Sequence, residues 1–104
     1  LREARDRLSQ YEYNVGYHYY RSRWYPGAVD RFKTLLEKDP QFTRRDSVYF
    51  YLGECYAKAG QPAQALPYFD RLVKEFEQSE HLVEAQKRVE LLKAEMANQA
   101  KKVP

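Results

Sequence analysis

The side chains that could carry acid–base, nucleophilic or metal chemistry are few and scattered in this 104-residue chain. The two histidines, His18 and His81, have neither a neighbouring cysteine nor the spacing of a metal site, and Cys55 is the single cysteine. Acidic residues are dispersed, with no Gly-rich phosphate loop and no serine nucleophile motif. The sequence therefore predicts no enzymatic activity, no cofactor and no metal.

Aromatic side chains near the start of the chain are suited to binding instead. Steps of four, three and four residues place one aromatic stripe on a helix face, made of Tyr13, Tyr17, Tyr20 and Trp24. Each tyrosine offers apolar area plus a hydroxyl at little entropic cost. A second stripe is predicted to face the core and contains Leu1, Ala4, Leu8, Tyr11, Val15 and Tyr19. A helix that is apolar on both sides is either buried on both or has a partner.

A code of small and aromatic residues occurs twice, 37 positions apart, from Gly16 to Gly53. Its two copies are Gly16/Tyr19/Ala28/Phe32 and Gly53/Tyr56/Ala65/Phe69. Glycine inside a helix costs roughly 1 kcal/mol relative to alanine, so its recurrence predicts close approach by a neighbouring helix, with each phenylalanine beside the contact. A fixed period of this length indicates stacked helical hairpins.

Five helices are expected, and no strand pattern competes, so the predicted fold is all-α. The first helix covers 1–22, the second opens with Pro26 and stops at Asp39-Pro40, and the fourth opens with Pro62. A capping box from Thr43 to Asp46 is expected to open the third helix, Gly60 to end it, and Ser79 to cap the fifth. Residues 97–104 are expected to fray. The predicted units are repeat one, 9–42; repeat two, 46–79; and a capping helix, 80–97.

Composition bounds the other possibilities. The net charge is +3, with residues 1–45 at +4 and residues 46–104 at −1, so the first half favours an acidic partner but is too weakly charged for a nucleic-acid binder. No run of about 18 apolar residues would span a membrane, and no signal peptide is expected from the first residues given. The chain reads as a piece of a longer protein. Cys55, among apolar helix residues, is predicted to be a buried, inert thiol.

The code resembles that of the tetratricopeptide repeat (TPR). The second copy carries Tyr49, Leu52, Gly53 and Tyr56 at the family's spacing, and Pro40 closes the first. Departures are Val15 for leucine, Glu12 for an aromatic, Glu77 for the closing proline, and a repeat of 37 residues, longer than is usual for a TPR. The resemblance implies a helical-hairpin solenoid whose groove would be lined by the tyrosine stripe and, from the third helix, Phe50, Glu54, Ala57 and Lys58. Alternatively, a preceding repeat covers that stripe.

Roughly the first forty residues also resemble the C-terminal half of BamD-type lipoproteins of the outer-membrane protein assembly machine. The residues that carry this resemblance are Arg7-Leu8, Tyr11-Glu12-Tyr13-x-Val15, Tyr19, Tyr25, Val29-Asp30-Arg31-Phe32, Leu35-Leu36 and Pro40. It implies a lipid-anchored scaffold on the periplasmic face of the outer membrane. Its partners would be the periplasmic domains of a barrel-forming insertase, other assembly lipoproteins and unfolded outer-membrane precursors. Arg31 matches an arginine that faces the insertase in that family.

The partner-binding residues expected on these grounds are Arg31, Tyr13, Tyr17, Tyr20, Arg21, Phe50, Glu54 and Lys58. Arg44 and Arg45 are expected only to solvate the turn between repeats. Alternatives are a generic TPR adaptor, in the cytoplasm or in another periplasmic complex, and a receptor for peptide tails. The tail receptor is disfavoured because Tyr13, Tyr17, Phe50 and Glu54 stand where that class has a Lys/Asn clamp. Single-stranded RNA binding through the aromatic and arginine residues of 17–24 is a third alternative.

Overall fold

A computed structural model describes residues 2–102 of the chain, and the predicted all-helical architecture is confirmed within them. Five helices follow in order: α1 (Arg2–Arg21), α2 (Tyr25–Lys38), α3 (Arg45–Lys58), α4 (Pro62–Glu75) and α5 (Leu82–Lys102). Each helix packs mainly on its neighbours in the chain, with α1 on α2, α3 on α4 and α5 on α4, while α2 meets α3 between the two hairpins. This nearest-neighbour pattern makes a TPR-like solenoid, extended over 55 × 29 × 20 Å. The predicted start of the first helix at Leu1 lies outside the described residues.

Three predicted helix boundaries are confirmed. Helix α2 ends before Asp39, because Pro40 disfavours the helical conformation at the residue that precedes it. Gly60 adopts φ +77 immediately after α3, in the left-handed region where glycine pays no steric cost. Pro62 opens α4, where its missing N–H costs nothing.

The starts of α3 and α5 differ from expectation. The predicted capping box is wrong, since Arg44 is the N-cap of α3 and makes no side-chain cap bond. Asp46 instead accepts a hydrogen bond from the Ser79 hydroxyl at 2.5 Å, which ties the start of α3 to the turn before α5. Ser79 does not cap α5 itself but accepts the backbone N–H of His81 at 3.0 Å, just before that helix. Helix α5 also continues to Lys102, beyond the predicted end at 97.

The recurring glycines lie directly under the recurring phenylalanines. A Cβ added to Gly16 would sit 2.7 Å from Cε1 of Phe32, and one added to Gly53 would sit 2.6 Å from Cε2 of Phe69. Both rings are fully buried. The predicted close approach is therefore confirmed in both hairpins, with a ring from the partner helix occupying the space left by the absent side chain.

The covering of the two apolar stripes of α1 differs from the prediction. Tyr13 is only 5% exposed, whereas Leu8 and Tyr11, which were assigned to the core, are each 62% exposed. The tyrosine side of α1 faces α3 and the inter-repeat turn, from which Phe42 and Tyr51 pack against Tyr13 with ring centroids 6.1 and 6.4 Å away. The elongated turn thus supplies the ring that seals the side expected to be an open groove.

Candidate protein-binding surfaces

Helices α1, α3 and α5 form the inner face, where most of the predicted binding residues lie. Tyr17 and Tyr20 of α1 both pack on Tyr51 of α3, with ring centroids 5.0 Å apart in each pair. Tyr17 and Tyr20 are half-buried, and Tyr13 beside them is buried. Burial raises the pKa of Tyr51 to about 12, because the anionic form would lose its hydration among these rings. The stripe expected to be an open groove is largely internal packing, and Tyr51 is the residue that sequence reasoning missed.

Glu54, another predicted binding residue, is the centre of a buried polar link across the inner face. Its Oε2 accepts a hydrogen bond from the Tyr20 hydroxyl at 3.2 Å, and its Oε1 lies 2.9 Å from Nε of Arg88. Burial, followed by the nearby Glu54 carboxylate, raises the pKa of Tyr20. The carboxylate is nearly inaccessible, while Arg88 is half-buried. Glu54 therefore links α1, α3 and α5, and its negative charge is paired with Arg88 rather than offered to a partner protein.

The Phe50 side chain is also covered by contacts within the chain. The His81 ring stacks on it with centroids 4.5 Å apart and planes within 13°. Nε2 of His81 lies 3.0 Å from the Ser47 hydroxyl. His81 thus belongs to the packing between α3 and the start of α5.

Arg21 and Lys58 are the predicted inner-face residues that remain exposed. Arg21 donates a hydrogen bond to the Tyr17 hydroxyl at 3.3 Å and lies over that ring. Beyond Glu54 the inner face opens into a cavity of about 660 Å³ between α3 and α5, lined by residues that include Ala57, Leu91, Leu92 and Glu95. The binding area left on this face is at its rim and at this end.

The outer edge of the first hairpin carries an exposed aromatic and apolar stripe. The name outer stripe is used here for Leu8, Tyr11, Val15, Tyr19 and Trp24. Trp24 is 55% exposed and packs edge-to-face on Tyr19, with centroids 4.6 Å apart. Arg31 projects from α2 beside it, with its guanidinium 5.9 Å from the Tyr19 ring centroid and 3.4 Å from Oε2 of Glu12. Arg31 is exposed and next to the outer stripe, away from the inner face.

Arg44 and Arg45 do more than solvate the turn between repeats. The Arg44 guanidinium lies 4.5 Å from the centroid of the Tyr13 ring. Arg45 donates a hydrogen bond to the Pro40 carbonyl at 3.0 Å and lies 5.5 Å from the Phe76 ring centroid. Both side chains therefore hold the elongated turn to its neighbours. Their position in a turn gave no sequence signal for these contacts.

The cysteine lies in the core. Cys55 is fully buried, as predicted, and burial raises the pKa of its thiol to about 12, which disfavours the reactive thiolate. Across residues 2–102, no group of three or more His, Cys, Asp or Glu side chains could hold a metal ion. Within the same range, no helix combines the length and hydropathy needed to cross a membrane.

Comparison with known proteins supports the repeat assignment. Residues 47–79, which cover most of α3, all of α4 and the turn that follows, match the family model described as tetratricopeptide repeat. Neither the curated proteins nor the solved structures contain a match to this chain. The second hairpin is therefore similar to a tetratricopeptide repeat, and it lies within an all-helical, TPR-like solenoid.

Proposed function

We propose that this chain is a non-enzymatic scaffold that binds other proteins through the outer stripe. The observation that carries the proposal is that Leu8, Tyr11 and Trp24 are each more than half exposed along one edge of the first hairpin. Burying a leucine-sized side chain contributes about 1.5–3 kcal/mol, so a partner that covers such a stripe gains substantial free energy. The match of the second hairpin to a repeat family of interaction modules supports the same class of function.

We further propose that the scaffold works in outer-membrane β-barrel assembly, docked on the periplasmic domains of the insertase. Other assembly lipoproteins and unfolded outer-membrane precursors would be its further partners, at the periplasmic face of the outer membrane. Support comes from the resemblance of roughly the first forty residues to BamD-type lipoproteins. It comes also from the position of Arg31, whose side chain is 43% exposed next to the outer stripe. Interfacial arginines are enriched among the residues that dominate binding energy.

The chain offers a matched pair of variants for testing this function. Leu8→Glu with Tyr11→Glu places two charges on the outer stripe, and Ala63→Glu with Gln64→Glu does the same at exposed positions of α4, away from that stripe. Binding to purified insertase periplasmic domains is measured by calorimetry. We expect the first pair to weaken affinity by at least about 10-fold and the second to leave it unchanged. Equal effects of both pairs, or no binding by the unaltered chain, would refute the proposal.

Arg31→Glu tests the arginine separately. Its ion pair with Glu12 is exposed, so its loss should change the melting temperature little, whereas a partner contact would show as weaker binding. Helicity and melting by circular dichroism are measured on the same sample. Unaltered affinity would remove Arg31 from the binding surface.

Single-stranded RNA binding is not favoured by the inner face. Stacking on bases needs open ring faces, but Tyr17 and Tyr20 pack on Tyr51. Titration of a labelled oligonucleotide at low salt should show no saturation. Saturable, salt-sensitive binding would revive that alternative.

A further inference from the structure

The turn between α1 and α2 presents the chain's single tryptophan at the edge of a small notch. Trp24 is more than half exposed, and the notch beside it has a volume of about 330 Å³. The name tryptophan notch is used here for its lining, which is Tyr19, Trp24, Pro26, Gly27, Asp30 and Arg31. A large exposed ring beside a concave surface marks a candidate binding site.

The Trp24 ring is held in place despite its exposure. Its edge-to-face contact with Tyr19 fixes one side. Gly27 lies under the ring, where an added Cβ would be 2.8 Å from Cδ2 of Trp24. The backbone N–H of Trp24 donates to the Tyr19 carbonyl at 2.9 Å. Because these contacts already restrict the ring, little side-chain conformational entropy is lost when a partner covers it.

Backbone strain accompanies this turn. Arg23, the residue before the tryptophan, has φ 65, and it is the one described non-glycine residue with positive φ. A non-glycine residue in that region costs roughly 1 kcal/mol, which glycine would avoid. This conformation turns the chain at the end of α1, so that Trp24 lies beside Tyr19. Strain of this kind is found where the surrounding structure must aim a side chain.

The charges on the rim indicate what kind of segment fits. Arg31 makes a long contact to Glu12 at 3.4 Å and also meets the Tyr19 side chain, and its exposed guanidinium, which has five N–H donors, keeps donors for a partner carboxylate. Asp30 is exposed on the same rim and can accept backbone N–H groups from a bound segment. The surrounding residues 1–45 carry a balance of +4. An apolar side chain against Trp24, next to a carboxylate on Arg31, satisfies both features.

We propose that the tryptophan notch is the anchor site for a short acidic segment of a partner protein, with an apolar side chain seated on Trp24 and an adjacent carboxylate on Arg31. This inference rests on the proposed function and names the site and the chemistry through which the scaffold recognises its partner. It places Trp24 and Gly27 in the binding surface, in addition to Arg31.

The test uses a display library of short random peptides as the probe, selected on the unaltered chain. We expect enrichment of peptides that pair an apolar residue with Asp or Glu. An enriched peptide, titrated against the chain, should shift or quench the fluorescence of Trp24, which reports on the notch alone because no other tryptophan is present. Trp24→Ala and Gly27→Ala should each weaken binding by at least about 10-fold. Val83→Ala is the control, because Val83 is an exposed apolar side chain on α5 that lines neither the notch nor the inner-face cavity.

Folding is checked by circular dichroism, and Arg31→Gln provides a variant that leaves the notch backbone intact. It should weaken acidic peptides but not their amide analogues. Enrichment of basic peptides, or binding unchanged by Trp24→Ala, overturns the notch while leaving the scaffold function standing. Failure of insertase binding, with the notch still capturing acidic peptides, overturns the proposed assembly role instead.

Discussion

The glycine under each phenylalanine gives the sharpest prediction about stability. In Gly53→Ala, the new Cβ would lie 2.6 Å from both Cε2 and Cζ of Phe69, where ordinary contacts are 3.4–4 Å. The fully buried ring would have to move by about 1 Å, and overpacking of this kind costs about 1–3 kcal/mol. The higher helix propensity of alanine offsets about 1 kcal/mol of this loss. We expect a net loss of about 1 kcal/mol, or a melting temperature lower by about 4–8 °C.

Urea unfolding followed by circular dichroism measures the free energy, and a double-mutant cycle with Phe69→Leu isolates the contact. Once the ring is shortened, Gly53→Ala should be neutral or stabilising, which gives a coupling energy of about 1–3 kcal/mol. Gly60→Ala is the control, because nothing lies within 4 Å of the Cβ that it adds. The φ of +77 at Gly60 should make this substitution destabilising to the same extent whether residue 69 is phenylalanine or leucine. Stabilisation by Gly53→Ala alone, or additivity within about 0.5 kcal/mol, would refute the reasoning.

Three further predictions concern charge, backbone and pH. Arg88→Ala leaves the buried Glu54 without its cation, so the free energy of unfolding should fall by about 1–2 kcal/mol. This is less than the usual penalty for a broken buried ion pair, because Arg88 is partly exposed. Adding Glu54→Gln to Arg88→Ala should restore part of the lost stability, as measured by urea unfolding. Arg23→Gly removes the positive-φ strain and should raise the melting temperature by a few degrees, which calorimetry checks; a lower melting temperature would contradict it. The raised pKa values of Cys55 and Tyr51 keep both groups protonated in the folded chain, whereas the unfolded chain loses these protons above about pH 9 and 10. The free energy of unfolding should therefore fall as the pH rises from about 9 to 12. Thiol titration at pH 8 should detect Cys55 only after unfolding.

The exposure pattern has a consequence for how the molecule associates. Large apolar side chains that remain more than half exposed lie, among the described residues, on α1, on its following turn and on α5: Leu8, Tyr11, Trp24, Val83 and Leu91. None of them is on α2, α3 or α4. A solenoid buries each repeat only against its neighbours, so its terminal helices keep an uncovered side. The two ends are therefore the surfaces at which further polypeptide is most favourably added.

Local rules predicted the helices because each boundary depends on nearby residues. Asp39-Pro40, Gly60 and Pro62 act within one turn of their positions, through φ restriction or a missing N–H. The capping box failed because the Asp46 carboxylate has a better partner, Ser79, which is distant in sequence. A hydrogen bond between separate turns leaves no periodic trace in the sequence.

The candidate site was harder to predict than the fold. Tyr13, Phe50 and Glu54 were expected on an open groove, but each is nearly buried by contacts with other helices. Trp24 was placed on the wrong stripe, with Tyr13 rather than beside Tyr19 and Arg31. The strained Arg23 moves it around the end of α1, which helical spacing does not anticipate.

The helical hairpins are predictable from the sequence, because the spacing of Gly16, Phe32, Gly53 and Phe69 encodes contacts between helices that are adjacent in the chain. Which side of α1 is covered depends instead on contacts with residues far away in the sequence. Both of its stripes are apolar enough to be buried, so hydrophobicity alone could not choose between them. The choice was made by Phe42 and Tyr51, which pack on the tyrosine side and leave Leu8, Tyr11 and Trp24 facing outward.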